Sequence, residues 1–173
     1  MEVLDAILNR RSIRHFTNEA VTDSLITEIL KAAMYAPSAV NKQPWNFIVF
    51  RNKTTIKAIT DEHPNASMLH QASAGILVCW DEHLQHDTGY GPVDCAAATQ
   101  NILLSAFGLG LGSVWVGLYP RQQRMELARK VFDLPDHIKG FCIVALGYPA
   151  ENRVNPQRFN PEKIHFEKWS DEV

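Results

Sequence analysis

An α+β fold, with a central sheet wrapped by helices, is predicted by three features of this sequence. Several segments space their apolar residues at the helical period, and four short runs are instead β-branched, aromatic and continuously apolar. Proline, glycine and capping residues fall between the two kinds of segment. The chain has 173 residues, 46% of them hydrophobic and 21% charged, which suits one compact domain over 1–173.

Val3, Leu4, Ile7 and Leu8 predict a short amphipathic helix. Thr22 and Asp23 are cap residues for a second helix, whose apolar face is Leu25, Ile26, Ile29, Leu30 and Ala33; Pro37 ends it. Residues 45–50 read as a strand. Residues 54–72 read as a helix, a loop at Pro64-Asn65 and a second helical turn. A buried strand follows at 74–80. Pro92 opens a long helix through Ala106 that is apolar over much of its surface, so it lies in a core or at an interface. Residues 113–118 form a third strand, Pro120 starts a helix carrying Met125, Ala128 and Val131, and 141–146 form a fourth strand. The tail from 150 lacks core periodicity, yet its Phe159, Ile164, Phe166 and Trp169 must pack on something, and a partner subunit is the expected surface.

Composition excludes several classes of function. The longest apolar runs are far short of the roughly 20 residues a membrane span needs. Residues 1–14 carry Glu2 and Asp5 and no continuous apolar stretch, unlike a secretion or import signal. A net charge of −2 draws in neither nucleic acid nor acidic membranes. Cys79, Cys95 and Cys142 sit in apolar or Ala-rich segments, as buried reduced thiols do, so a cytoplasmic location is expected.

The sharpest local feature is Arg10-Arg11-Ser12-Ile13-Arg14. Arginines this close repel one another, and an anion relieves the repulsion; guanidinium suits bidentate phosphate contacts and Ser12 adds a donor. The competing reading is a solvated basic stretch at a helix end. The second feature is the polar, proline-stiffened loop Pro37-Ser38-Ala39-Val40-Asn41-Lys42-Gln43-Pro44-Trp45, either a ligand-holding loop or a plain connection. The third, Gly108-Leu109-Gly110-Leu111-Gly112-Ser113, has a helix before it and a strand after it. That order is the reverse of a dinucleotide-binding fingerprint, so it reads as a helix C-cap feeding a strand, with Gly117 beyond it open to a flat ligand. His83 and His86 lie near Asp81, Glu82 and Asp87, but the spacing is short and no further cysteine or histidine cluster completes a tetrahedral set, so no metal is expected there.

In their order along the chain these segments resemble the nitroreductase family of flavoproteins. Arg10–Arg14 is similar to its RRSxR signature and Pro37–Trp45 to its PSxxNxQPW signature. Residues 110–117 resemble its glycine-rich strand entry, and Gly147-Tyr148-Pro149 with Arg158 its C-terminal end. The resemblance implies a three-layer α/β/α fold with a mostly antiparallel sheet, a homodimer with the tail extended onto the partner, and FMN at each subunit interface. It places Arg10, Arg11, Ser12 and Arg158 on the FMN phosphate. Arg14 falls beside the ribityl chain and pyrimidine edge, as a flavin-tuning charge. Pro37, Ser38 and Asn41 come from the other subunit; Asn65 contacts the flavin; Trp115, Val116 and Gly117 flank the ring. The implied activity is hydride transfer from NADH or NADPH through flavin N5 to a nitroaromatic, quinone or enone, in ping-pong fashion and without an acid–base triad. A specialised flavoenzyme such as a dehalogenase, or a non-catalytic flavin-binding module, is the alternative. Two positions depart from the pattern: Val40 replaces a common glycine, and Pro156 replaces a second basic residue before Arg158.

Overall fold

The computed structural model describes residues 2–152 and 154–169. The elements in chain order are α1 (Val3–Asn9), α2 (Asp23–Met34), β1 (Trp45–Phe50), α3 (Lys53–Glu62), β2 (Ala74–Asp81), α4 (Tyr90–Gly108), β3 (Gly112–Gly117), α5 (Gln122–Val131) and β4 (Ile138–Gly147). The strands form one antiparallel sheet in the order β1-β2-β4-β3.

Strand alternation sorts the core into two layers. Ile76, Val78, Val144 and Leu146 face α2 and α4, joining Ile26, Ile29, Ala98 and Ile102. Leu77, Cys79, Val114, Val116, Ile143 and Ala145 face α3 and α5, joining Ile56, Ile59 and Ala128. The result is the three-layer α+β arrangement expected. One bulge interrupts the register: Val78 pairs with Cys142 but Cys79 pairs with Gly140, leaving Phe141 as the extra residue. The Phe141 carbonyl is thereby left to accept from Leu118 and Tyr119 N–H, at 3.2 and 3.0 Å. That contact ties down the chain leaving β3.

Local chemistry accounts for most boundaries. Thr22 caps α2 through its hydroxyl, which accepts from Leu25 N–H at 3.4 Å. After α4, Gly110 takes φ +79°, Leu111 N–H donates to Ala106 O and Gly110 N–H to Phe107 O. This glycine-terminated helix end is the one the 108–113 segment predicts. Three starts differ from expectation by two residues or more. α4 begins at Tyr90, because Pro92 in a first turn has no N–H that the helix needs. α5 begins at Gln122, because Pro120 belongs to the turn off β3 and Arg121 is the extended N-cap. β4 begins at Ile138, because Lys139 and Gly140 pair with β2 without being apolar.

α1 buries none of its residues, and Val3, Leu4 and Leu8 stand on its open face. The tail is similar: Phe159, Phe166 and Trp169 are 79%, 84% and 77% exposed in the single chain. The cysteines are free and buried as read. Burial pushes the Cys79 thiol up to about 12 and those of Cys95 and Cys142 upward as well, so all three are protonated near neutrality. Among the described residues no helix is long and apolar enough to cross a membrane.

Candidate functional site

The arginine-rich segment leaves α1 and lies along the free edge of β3. Ser12 and Ser113 form a parallel bridge, and Ile13 N–H donates to Ser113 O at 3.0 Å. Phe16 bridges Pro149, and Thr17 N–H donates to Tyr148 O at 2.9 Å. Close approach requires a glycine here: a Cβ on Gly112 would sit 2.8 Å from Ile13 Cγ2. Ile13 and Phe16 are buried, which turns Arg14 outward along the same edge. Glu151 Oε1 accepts from Arg14 N–H at 2.7 Å and His15 N–H at 3.3 Å, fixing the backbone that carries Arg14.

Arg10, Arg11 and Arg158 form a cluster of like charges. The Arg10 guanidinium is held below its ordinary pKa by burial first, then by the charges of Arg158 and Arg11. Arg11 Nε is buried without a hydrogen-bond partner. Among the described residues none of these three pairs with a carboxylate. Arg11 and Arg158 line a cavity of about 490 Å³ between α1 and the tail, and Pro156 lies in its wall. An orphaned buried donor inside uncompensated positive charge fits a phosphate dianion better than it fits a plain solvated stretch.

Arg14, Asn65, Trp115, Val116 and Gly117 line a second cavity, of about 450 Å³, on the other side of the same segment. A Cβ on Gly117 would meet nothing within 4 Å, so this glycine leaves space rather than packing. His63, 1% exposed, organises the wall. Its Nδ1 accepts from Asn65 N–H at 3.2 Å, so its proton is on Nε2, which donates to Gly117 O at 3.0 Å. Arg124 Nη1 donates to the same carbonyl at 3.1 Å. One histidine thus sets both the Pro64-Asn65 loop and the end of β3.

Pro37, Ser38 and Asn41 are elsewhere. They precede β1, the opposite sheet edge from β3, with two strands between, so about 14 Å of sheet separates them from Trp115. Their loop is tightly built. Val40, Asn41 and Gln43 all have positive φ, 50°, 55° and 49°. Ser38 Oγ accepts from Gln43 N–H at 2.9 Å, and Asp94 Oδ1 accepts from Ala39 N–H at 3.0 Å. Val40 therefore keeps a left-handed conformation that glycine takes freely, at a cost of order 1–3 kcal/mol, and loops held in this way concentrate at functional sites. Within one chain these residues do not meet the arginines.

Sequence reasoning missed His63, Arg124, Glu151 and Asp94. His63 precedes a proline and Arg124 sits on a helix, with no local signal of the shared carbonyl. It also missed that the fold sets His137 against His83: their rings stack at 4.6 Å, and with Asp81 they place donor atoms within 4.8 Å of one another. His86 instead lies against Tyr90.

Comparison with known proteins places the fold and sequence in one family. The model of the nitroreductase family matches residues 7–63 and 60–148. A protein of Methanothermobacter thermautotrophicus named "Putative NADH dehydrogenase/NAD(P)H nitroreductase" is 47% identical over 169 residues, 98% of this chain and 88% of its own. A crystal structure of the same name from Parabacteroides distasonis superposes with TM-score 0.93 at 35% identity, covering 96% of this chain and 98% of that one. Another, from Desulfovibrio desulfuricans, described as a "putative nitroreductase in complex with fmn", is 30% identical with TM-score 0.85, covering 98% of this chain and 99% of that one. Matched through the arginine segment, the 37–45 loop and β3 alike, this chain belongs to the nitroreductase family.

Proposed function

We propose that this chain is an FMN-dependent NAD(P)H oxidoreductase that works as a homodimer. The observation that carries the reading is the buried, partnerless Arg11 Nε within the Arg10–Arg11–Arg158 cluster, beside an open cavity edged by Arg14 and Gly117. When bound, FMN would supply the redox chemistry, hydride transfer through N5 from NAD(P)H to a small nitroaromatic, quinone or enone in ping-pong fashion.

The chain's own residues position and tune that group. Arg10, Arg11, Ser12 and Arg158 hold the phosphate, with Pro156 leaving one basic side chain fewer than the family pattern. Arg14 sets a positive charge at the pyrimidine edge, which favours a reduced, anionic ring. Trp115, Val116 and Gly117 flank the ring, and Asn65 contacts it. His63 and Arg124 both donate to the Gly117 carbonyl and so fix the peptide in the wall of the cavity that would hold the ring. Pro37, Ser38 and Asn41 come from the second copy, because their own chain keeps them at the far sheet edge. The apolar face of α1 and the exposed aromatic tail are the surfaces that copy covers.

FMN titration tests this. Flavin-free protein should bind one FMN per chain and sediment as a dimer carrying two. A chain that is monomeric, or that binds no FMN, would contradict the proposal.

A further inference from the structure

A third cavity, of about 480 Å³, opens beside the one that holds Arg14 and Gly117. The two share Pro64 and Arg124 in their walls, so they are contiguous. The new one is lined by Arg121, Arg124 and Lys130 on one side of α5, with Glu62 and Glu126. Its carboxylates do not balance its cations. Glu126 is engaged by Arg129, which donates to both its oxygens at 2.8 Å, and Lys130 reaches it only at 3.9 Å. Among the described residues neither Arg121 nor Arg124 has a carboxylate partner. Arg124 is held below its ordinary pKa by partial burial first and by the Arg121 charge second. Two guanidiniums without a carboxylate partner facing one cavity are arranged for an anion, as the Arg10 cluster is, but at the start of α5 and next to a different wall.

We propose that this cavity is the phosphate subsite for the nicotinamide dinucleotide donor, with Arg121 and Arg124 as its anion-binding residues. The inference rests on the hydride-transfer reading above. A donor whose nicotinamide stacks on a ring held in the Arg14–Gly117 cavity must send its remaining length out along a neighbouring surface. The contiguous basic cavity is such a surface, and Arg124 belongs to both. It also supplies donor recognition to a fold that has no dinucleotide-binding glycine loop. Two phosphates fit the chemistry: the pyrophosphate common to NADH and NADPH, and the 2′-phosphate of NADPH alone.

The test uses the FMN-loaded dimer and Arg121→Ala, whose side chain is exposed and whose loss leaves the core intact. Calorimetry with ADP and with adenosine 2′,5′-bisphosphate should show binding to wild type that weakens about tenfold or more in the variant. The kcat/KM for NADPH, as a ratio to that for 1-benzyl-1,4-dihydronicotinamide, should fall by a similar factor, mostly through KM. Arg121→Lys should recover part of it. Equal losses with NADH and NADPH assign the pyrophosphate; a loss with NADPH alone assigns the 2′-phosphate. No binding of either nucleotide, or unchanged affinity in the variant, overturns the subsite. Failure of wild type to accept hydride from the phosphate-free donor would instead fault the hydride-transfer reading, leaving calorimetry to decide the subsite.

Discussion

Arg10→Ala is expected to weaken FMN binding about ten- to 150-fold, because one charge-assisted bond to a phosphate contributes about 1.5–3 kcal/mol. The fold should be spared. Arg10 packs no core, and its removal relieves repulsion with Arg158 and Arg11. The flavin-free variant should therefore melt no lower than flavin-free wild type, while its flavin is lost on gel filtration. Arg10→Lys should recover only part of the affinity, since a point charge does not reproduce the guanidinium fork. Unchanged FMN affinity in Arg10→Ala would remove Arg10 from the phosphate site.

Truncation after Asn152 is expected to have a larger effect, giving a monomer without flavin. It removes Arg158 together with Phe159, Ile164, Phe166 and Trp169, all of them exposed in the single chain. Each large apolar side chain gains roughly 1.5–3 kcal/mol when fully buried, so three or four of them seated on a second copy amount to a substantial part of a dimer's stability. No described residue beyond Asn152 belongs to either core layer, so the truncated chain should keep its secondary structure. Sedimentation velocity with a flavin spectrum checks both halves. A truncated dimer that retains FMN would show that the tail covers neither the partner nor the phosphate.

Short-range chemistry made the elements legible and left their ends uncertain. Thr22 and Asp23 mark the start of α2, and residues 45–50 read as a strand to the residue. The Gly110 helix end was readable because only backbone and glycine conformation decide it. The start of β4 is not legible because Lys139 and Gly140 gain strand conformation from β2, not from their own apolarity. The candidate site divided likewise. Arg14, Asn65, Trp115, Val116 and Gly117 do share one cavity, and Arg10, Arg11 and Arg158 one cluster. His63 and Arg124 were invisible because their importance lies in a carbonyl 54 and 7 residues away. Val40 departs from the family pattern, yet it keeps φ 50° because Ser38 and Asp94 pin the loop backbone.

The most direct measurement is the absorbance spectrum of the purified protein under anaerobic addition of NADH and then NADPH. A bound-flavin spectrum that bleaches with at least one donor, and returns on adding a quinone or nitroaromatic, is the predicted result. A flavin spectrum that neither donor changes would contradict hydride transfer from NAD(P)H. No flavin band even after incubation with FMN would contradict the site itself, and assign the arginine cluster to some other anion.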